Sequence, residues 1–476
     1  MTVSQNADLA AKINDAMTPI SNAVNDVIFY SVDVFGVSLP LVVLWLIAAA
    51  IIITFSLRFI NLTGFGHALA LVSGRRTHHL AKGSGEISHF QALSSALSGT
   101  VGLGNIGSVP VAIALGGPGA VFWMILAGFF GMSSKFAECA LSVKYRYVEA
   151  DGRTIGGPMY YIESVFERRG LKWIGKGAAI FFAVMAMGGS ISFFQVNQSY
   201  AQFSSVTGID APLAFGVILC SLVAFVILGG IKRIGRVSGF FVPFMGVIYL
   251  SAALTIIALN ADKLPGAIAL IFKDAFGFSA LGGGMVGALI NGIKRATYSN
   301  EAGVGSSAIA HSAVRTTEPM TEGFVASLEP FIDTIVVCTI TALVVIVTGA
   351  YEPFLYNPEV VGIEITSAAF ASAFPWFPVI LMVASMLFAF TTLVSWAFYG
   401  SQAAAYLFGA SKKVDVTFKI MLCATLSTGA AISLSSIINF IDAMLFGMCI
   451  PNIIALYLLL PELKRDLANY NRKYRS

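Results

Sequence analysis

Eleven apolar stretches, each long enough to cross a membrane as a helix, dominate this sequence. A helix needs about 20 mostly apolar residues to span the hydrocarbon core of a bilayer. Hydrophobic residues make up 57% of the 476 residues and charged residues 11%, whereas soluble domains carry about 25% charged residues. We therefore predict an all-α membrane protein with about eleven transmembrane passes. The predicted passes are residues 36–60, 91–115, 119–143, 178–205, 212–229, 239–260, 283–314, 323–348, 376–408, 417–435 and 437–460.

The distribution of positive charge supports this number of passes. Lys and Arg residues accumulate in the loops on the cytoplasmic side of a membrane protein. With eleven passes, 21 of the 29 Lys and Arg residues fall in segments on one side, 3 fall on the other side and 5 lie within passes. We therefore expect a multi-pass protein of the cell (inner) membrane, with its N-terminus outside and its C-terminus in the cytoplasm.

Glycines interrupt the second predicted pass. The stretch SGTVGLGNIG (residues 98–107) has Gly102, Gly104 and Gly107 in the spacing Gly-x-Gly-x-x-Gly, which also occurs in dinucleotide-binding turns. Such a turn requires a preceding strand and an acidic residue about 20 positions later. The segment at that distance, GAVFWMILAG, contains no acidic residue. The motif is therefore not a nucleotide site, and we predict no organic cofactor and no nucleic-acid partner.

Close helix packing and local unwinding are the two remaining explanations for these glycines. Small residues are common where membrane helices pack closely. Here, however, three glycines and the polar residues Ser98, Thr100 and Asn105 occupy only eight positions, and each glycine costs about 1 kcal/mol inside a helix. Unwound backbone at membrane depth persists only where it is buried in protein or lines a cavity. We therefore predict an unwound segment that forms a binding site.

A second run of small and polar residues interrupts the seventh predicted pass. The run TYSNEAGVGSSAIAHS (residues 297–312) includes Glu301. The two interrupted passes are five helices apart, so two five-helix halves of the chain cross the membrane in opposite directions. Paired broken helices in inverted repeats indicate the midplane binding site of a secondary transporter.

Several motifs, in a consistent order, resemble the alanine/glycine:cation symporter family, also called the sodium:alanine symporters. They cover about residues 91–460 and include SGTVGLGNIG, IALGGPGAVFWM, GMSSKFAE, IGGPMYYI, ILGGIKRIGRV, SNEAGVGSSAIAH, FIDTIVVCTITALV, FAFTTLVSWAFYG and IPNIIALYLL. The VGLGN segment also resembles the unwound first core helix of the neurotransmitter:sodium symporters, which share the inverted-repeat fold. We expect one extra N-terminal helix and a 5+5 inverted-repeat core with two broken helices.

This organisation divides the chain into five predicted regions. They are an extracytoplasmic amphipathic segment (1–35), a first transmembrane helix with a cytoplasmic loop (36–90), two five-helix repeats (91–260 and 283–460) and a basic cytoplasmic tail (461–476).

The resemblance implies how the unwound segment would hold a zwitterionic amino acid. Unpaired amides at the N-terminus of a half-helix attract a carboxylate, and freed carbonyl oxygens attract an ammonium group or a cation. The amides near Leu103, Gly104 and Asn105 are expected to meet the substrate carboxylate. The carbonyls near Ser98, Thr100 and Val101 suit Na+, which prefers oxygen ligands. The predicted substrate-binding residues are Thr100, Leu103, Gly104, Asn105, Gln195, Asn300, Glu301, Thr392 and Trp396, and the predicted Na+ residues are Ser98, Val101, Thr391 and Thr392.

Residues of two other passes complete the predicted site. In the distant relatives, paired hydroxyls at the place of Thr391 and Thr392 complete a sodium site, although a helical threonine commonly bonds its own i−4 carbonyl. Trp396 lies on the same helix face as Thr392 and is predicted either to limit the size of the substrate side chain or to pack. Gln195 is predicted either to contact the substrate or to bond a neighbouring helix.

Charged groups within the passes are further candidates, because they are costly in a membrane. Glu301, next to Asn300 at the second interruption, is expected either to bind the substrate ammonium or to orient the unwound segment. Lys135 and Glu138, at i and i+3, are expected to pair with each other or to snorkel towards the membrane surface. For Glu329 and Asp333, the sequence leaves two roles open: each is either part of a cation path or a structural partner of an unwound neighbour.

The sequence thus predicts a transporter, not an enzyme, that couples the entry of Na+ to the uptake of alanine or glycine by alternating access. The predicted partners are the transported amino acid and the lipid bilayer, with no obligate protein partner. Proton coupling through Glu301 or Asp333 is the alternative within transport, and an ion channel is the alternative from another class. No Gly-x4-Gly-Lys-Ser/Thr motif occurs, which argues against ATP as the energy source.

Overall fold

The computed structural model describes residues 18–19, 21–34, 37–75, 83–149, 153–277, 284–356 and 362–475. Within these residues the chain is a bundle of helices whose buried apolar side chains form one large cluster. Four short strands form two antiparallel hairpins, β1 with β2 and β3 with β4. The strands are β1 (Ser31–Val34), β2 (Val37–Pro40), β3 (Tyr147–Val148) and β4 (Thr154–Ile155).

Twenty-one α-helices follow the helical residues 21–28 in the described part of the chain. In the N-terminal half they are α1 (Leu41–Ser56), α2 (Ile60–Thr63), α3 (Phe65–Val72), α4 (His89–Thr100), α5 (Val109–Gly116), α6 (Ala120–Lys144), α7 (Pro158–Glu167), α8 (Lys172–Gly189), α9 (Phe193–Thr207), α10 (Pro212–Ile227) and α11 (Gly230–Leu259). In the C-terminal half they are α12 (Leu264–Ala275), α13 (Gly284–Asn300), α14 (Ser306–His311), α15 (Pro319–Ala326), α16 (Leu328–Pro330), α17 (Thr339–Thr348), α18 (Ile363–Ala373), α19 (Phe377–Phe408), α20 (Lys412–Leu426) and α21 (Leu434–Tyr474). Two π-helical segments (Gly104–Ser108 and Phe331–Cys338) and two 3-10 turns (Glu352–Phe354 and Gly429–Ala431) complete the regular structure of this part of the chain.

The helices confirm a multi-pass membrane protein. Among the described residues, seven helical segments are long and apolar enough to cross a bilayer, and α4 with α5 adds an eighth as one bent pass. The helices α1 and α10 are apolar but shorter. The seventh predicted pass corresponds to α13 and α14, which include Lys294, Arg295 and Glu301 within or between them. The number eleven stays a prediction.

Several helices begin or end at residues other than the limits of the predicted passes. Helix α1 begins at Leu41 and not at residue 36, because the residues up to Pro40 form the hairpin of β1 and β2. Helix α11 begins at Gly230, so the predicted loop 230–238 is helical. Helix α21 runs to Tyr474 and includes most of the predicted tail. Apolar content alone placed these ends, whereas a helix continues beyond the membrane wherever its amphipathic end packs against neighbours.

Four helices outside the predicted passes connect the bundle. Helices α3 and α7 lie in predicted cytoplasmic loops, and α12 and α18 lie in predicted outer segments. The predicted N-terminal segment (1–35) lies mostly outside the described residues, although residues 21–28 are helical.

A candidate substrate and cation site between two helix breaks

The first break comprises residues 101–103, between α4 and the π-helical turn that leads into α5. The two halves of the pass differ in direction by 44°. The Gly102 amide donates to Asn105 Oδ1 (2.9 Å), and the Asn105 amide donates to the Gly102 carbonyl (3.1 Å). The carbonyls of Ser98 and Val101 therefore lack the i+4 amide partners that an intact helix would give them.

The second break comprises residues 301–305, between α13 and α14. Glu301, Gly303 and Gly305 have positive φ angles of 55°, 87° and 86°, a conformation that favours glycine and is unusual for glutamate. Asn300 Oδ1 accepts from the Ala302 amide (2.9 Å) and so holds the first turn of the break. Both predicted interruptions of helices are therefore present in the structure.

A small buried cavity lies between the two breaks. The space in it for the centres of water molecules is about 20 Å³, which is room for one or two waters. Glu301 and Trp396 form part of its wall, and Trp396 Nε1 donates to Glu301 Oε1 (3.0 Å). The lining residues are Gly99, Thr100, Gly104, Gly189, Ser192, Gln195, Tyr298, Glu301, Trp396, Ile441 and Leu445.

The structure brings five of the predicted substrate residues to this cavity, namely Thr100, Gly104, Gln195, Glu301 and Trp396. The amide of Leu103 donates to Gln195 Oε1 (3.1 Å). This hydrogen bond engages an amide that was predicted to meet the substrate carboxylate, and it ties the first break to α9. Gln195 thus makes the inter-helix bond and also faces the cavity.

Asn105 and Asn300 support the breaks rather than line the cavity. Asn105 Nδ2 donates to Asp333 Oδ1 (2.6 Å) and to Ser299 Oγ (3.0 Å). Asn300 Nδ2 donates to Thr334 Oγ1 (2.9 Å). Asp333 is fully buried and also accepts from Ser299 Oγ (2.6 Å). This cluster joins both breaks to the eighth pass.

The predicted sodium residues are only partly brought together. The Thr392 hydroxyl is buried without a hydrogen-bond partner, and a Cβ atom on Gly102 would collide with it. It therefore faces the first break, where the Ser98 and Val101 carbonyls are freed. The Thr391 hydroxyl instead bonds the Leu387 and Phe388 carbonyls of its own helix (3.0 and 3.1 Å).

Ser395 is a residue of this region that the sequence analysis missed. Its hydroxyl donates to the Ser95 carbonyl (2.8 Å) and is bonded to Ser98 Oγ. Ser395 lies three residues after Thr392, so both hydroxyls project from the same face of α19. The i, i+3 spacing of Thr392 and Ser395 was the available signal in the sequence. The adjacency of Thr391 and Thr392 pointed to Thr391 instead.

The carbonyls of Ser98 and Val101 and the hydroxyl of Thr392 offer only oxygen atoms as donors to a cation. The donors are neutral, and hard cations bind oxygen ligands of this kind. The residues around Thr392 therefore fit Na+, and Ser98, Val101 and Thr392 are the residues that would hold it.

Tertiary packing brings to the cavity other residues that the sequence analysis missed. A Cβ on Gly189 would lie 3.0 Å from Trp396 Cζ3, and one on Gly99 would lie 2.9 Å from Tyr399 Oη. These glycines let aromatic rings approach the backbone of α8 and α4. The break at residues 190–192, between α8 and α9, places Ser192 at the same cavity. The run GGS at 188–190 was the available signal in the sequence.

Charged side chains on the predicted cytoplasmic side of the cavity form a buried network. The prediction that Lys135 pairs with Glu138 is wrong. Lys135 Nζ contacts Glu329 Oε2 (3.2 Å) and bonds Ser307 Oγ, whereas Glu138 accepts from Asn452 Nδ2 (2.8 Å). The i, i+3 spacing allowed the first pairing, but α6 presents Lys135 to α14 and α16 instead.

Replacing Lys135 with methionine is expected to destabilise the protein strongly, because the fully buried Glu329 would lose its ammonium partner. Loss of one partner of a buried ion pair costs about 3–5 kcal/mol. Thermal unfolding in detergent would measure the loss. Lys144→Met is the matched control, since Lys144 pairs with Glu462 and Asp466 where its side chain is 27% exposed and such pairs contribute about 1 kcal/mol or less. Equal effects of the two substitutions would contradict the buried pair.

Comparison with known proteins gives a consistent assignment. The family model described as the sodium:alanine symporter family matches residues 22–476. The chain is 39% identical over 421 residues to the sodium/alanine symporter AgcS of Methanococcus maripaludis, covering 88% of this chain and 92% of that protein. It is 37% identical to the putative sodium/proton-dependent alanine carrier protein YrbD of Bacillus subtilis, covering 81% of each. It is 32% identical to the probable sodium/glutamine symporter GlnT of the same organism, covering 92% of this chain and 89% of that one.

A solved structure shares the fold. The crystal structure of MhsT in complex with L-phenylalanine superposes with a TM-score of 0.55 at 16% identity, over 79% of this chain and 89% of that chain. This similarity confirms the predicted fold class, an all-α fold of many apolar helices. The family consists of transporters and not of enzymes. Matched along nearly its whole length, this chain belongs to the sodium:alanine symporter family.

Proposed function

We propose that this chain takes up alanine or glycine together with Na+ by alternating access around the cavity between the two breaks. The carrying observation is the unpaired, buried hydroxyl of Thr392, which faces the freed carbonyls of the first break. The names of the relatives AgcS and YrbD support sodium and alanine as the transported pair.

The cavity supports a small substrate. Trp396 forms part of the wall of the cavity, and its ring lies close to the backbone at Gly189, so its bulk is proposed to limit the size of the substrate side chain. With space for one or two waters, the closed cavity must widen to admit even alanine. We propose that the substrate ammonium takes the place of Trp396 Nε1 or Ser306 Oγ at Glu301, which both groups bond here.

Uptake into proteoliposomes that contain only this protein tests the proposal. An inward Na+ gradient without a pH gradient is expected to drive saturable, concentrative accumulation of labelled alanine. The absence of accumulation would overturn sodium coupling, and non-saturable flux would indicate a channel. Labelled glycine and labelled glutamine in the same assay test two further substrates: glycine, which the motif resemblance implies, and glutamine, which the name of the relative GlnT suggests.

Proton coupling is the second candidate. Glu301 and Asp333 are both buried carboxyl groups next to the breaks, and the relative YrbD is named as sodium/proton-dependent. Accumulation of alanine under an inward proton gradient in Na+-free buffer would favour it.

We place the protein in the cell membrane with its C-terminus in the cytoplasm, on the basis of the distribution of Lys and Arg.

Trp396→Leu is expected to let larger amino acids compete with alanine, because the smaller side chain removes the wall of the cavity. Each methylene group that a pocket accommodates changes selectivity by about 10-fold or more. Inhibition of alanine uptake by leucine and phenylalanine measures this change. Trp45→Leu is the control, because Trp45 is 39% exposed on α1 and packs on Tyr457 away from the cavity. An unchanged inhibition profile in Trp396→Leu would assign Trp396 to packing alone.

A further inference from the structure

A pocket lined by positive charge lies far from the two breaks, at the predicted cytoplasmic end of the bundle. It has a volume of about 500 Å³, with the end of α1 and the helix α2 on one side and the last turns of α21 on the other. Its charged side chains are Arg58, Lys464 and Arg475, and none of the described residues that line it is acidic. We call it the basic pocket. A cleft lined by one sign of charge concentrates ions of the opposite sign.

The α21 wall of the basic pocket is a single face of the helix. Its lining residues recur every three or four positions, as Lys464, Leu467, Ala468, Asn471 and Arg475. The carboxylates of the same stretch, Glu462 and Asp466, lie on the opposite face and pair with Lys144. The acidic residues of α21 therefore do not offset the charge of the pocket.

Two of the three cations have no partner in the protein. Neither the Arg58 guanidinium nor the Lys464 ammonium makes a hydrogen bond or an ion pair with the described part of the chain. Arg475, by contrast, is anchored, because its guanidinium donates to the Thr63 carbonyl and to Asn471 Oδ1 (3.2 Å). The pocket thus presents one fixed cation and two that are available to a ligand.

An unusual backbone turn places Arg58 at the junction of α1 and α2. Arg58 and Phe59 both have a φ of 55°, in the left-handed region that residues with a Cβ atom seldom adopt. Strained backbone of this kind occurs preferentially at binding sites and switch regions. A bound anion would offset the strain that holds the Arg58 cation in the pocket wall.

Apolar side chains that face outwards continue from the basic pocket along the helices. Ile52 lies one turn before Ser56, a residue of the pocket, on the same face of α1 and is 46% exposed. Its neighbour on the next turn, Phe55, is 60% exposed. Leu460 lies one turn before Lys464 on α21 and is partly exposed. A ligand that fits both features has an anionic group and an apolar chain attached to it.

We propose that the basic pocket binds the phosphate group of an anionic phospholipid, whose acyl chains lie along Ile52, Phe55 and Leu460. Guanidinium and ammonium groups make strong, charge-assisted hydrogen bonds to phosphate, and basic residues next to the membrane attract anionic lipids. A soluble phosphate would use the cations but leave the apolar side chains without a partner. Because α1 precedes the two predicted repeats, the lipid joins this extra helix to the C-terminal end of α21.

Native mass spectrometry of the full chain in a non-ionic detergent tests the lipid. Titration with phosphatidylglycerol is compared with titration by phosphatidylcholine of the same acyl chains. Phosphatidylglycerol is expected to bind about 10-fold more tightly or better, because it carries a net negative charge that each nearby cation favours by about fivefold. Inorganic phosphate at the same concentration is expected not to displace it, and displacement would assign the pocket to a soluble anion and overturn the lipid.

Variants of the two unpartnered cations test the location. Arg58→Gln and Lys464→Gln are each expected to weaken the binding of phosphatidylglycerol by about fivefold, and the double variant by about 25-fold. Arg58→Lys keeps the charge and is expected to stay within about twofold of wild type. Arg236→Gln is the matched control, since Arg236 is an exposed arginine on α11, outside the pocket, and is expected to bind the lipid as the wild type does.

Equal binding of the two lipids would overturn the proposal. So would unchanged binding in both Arg58→Gln and Lys464→Gln, or an effect of Arg236→Gln as large as theirs, which would indicate attraction to the whole positive surface. The measurement requires no transport, so its outcome is independent of the proposed substrate and coupling ion.

Discussion

Thr392→Ala is expected to raise the Na+ concentration for half-maximal alanine uptake by about 10-fold or more. The Thr392 hydroxyl is buried, has no partner in the protein and faces the first break, where two carbonyls lack their amide partners. A bond between a polar group and a charge contributes about 1.5–3 kcal/mol, and 1.4 kcal/mol corresponds to a tenfold change in affinity. The maximal rate at saturating Na+ is expected to change much less.

Thr391→Ala provides the matched control one residue away. Its hydroxyl bonds carbonyls of its own helix, so the sodium dependence of uptake is expected to stay within about twofold of wild type. Ser395→Ala tests the hydroxyl that the sequence analysis missed. It is expected to raise the Na+ concentration for half-maximal uptake less than Thr392→Ala does, since the Ser395 hydroxyl already has hydrogen-bond partners. An unchanged sodium dependence in Thr392→Ala, or a larger change in Thr391→Ala, would move the cation away from this position.

Glu301→Gln is expected to reduce alanine uptake at saturating Na+ by about 100-fold or more. Glu301 lines the cavity, is held in a strained backbone conformation with φ of 55° and bonds both Trp396 and Ser306. Removing one charge of a buried pair costs about 3–5 kcal/mol, and the charge lost here is the one proposed to face the substrate ammonium. Alanine binding measured by calorimetry would separate loss of affinity from loss of movement.

Glu138→Gln is the control for a buried carboxyl group outside the cavity. Glu138 Oε1 accepts from Asn452, and the amide oxygen of glutamine can accept the same hydrogen bond. Uptake is expected to remain within a few-fold of wild type. Near-normal alanine binding in Glu301→Gln would show that Glu301 orients the second break and does not bind the ammonium group.

These predictions give different roles to residues that resemble one another in sequence. Thr391 and Thr392 are adjacent and chemically identical, but α19 turns only the second towards the first break. Asn105 and Glu301 both lie at breaks, yet Asn105 bonds Asp333 and Ser299 while Glu301 reaches the cavity. The expected effects on transport therefore follow the direction of each side chain more than its residue type.

The sequence by itself determined the membrane class, the positions of both breaks and the membership of the family. The first two properties follow from local composition, because apolar length specifies a pass and clustered glycine with polar residues specifies an unwound segment. The family follows from the resemblance of its motifs and their order. The tertiary structure decided the pairing of Lys135 with Glu329, the role of Ser395 and the connection of His89 to His311 through Glu322. Each of these joins helices that are distant in the chain, and a hydrogen bond depends on ångström distances and side-chain directions that helical periodicity does not specify.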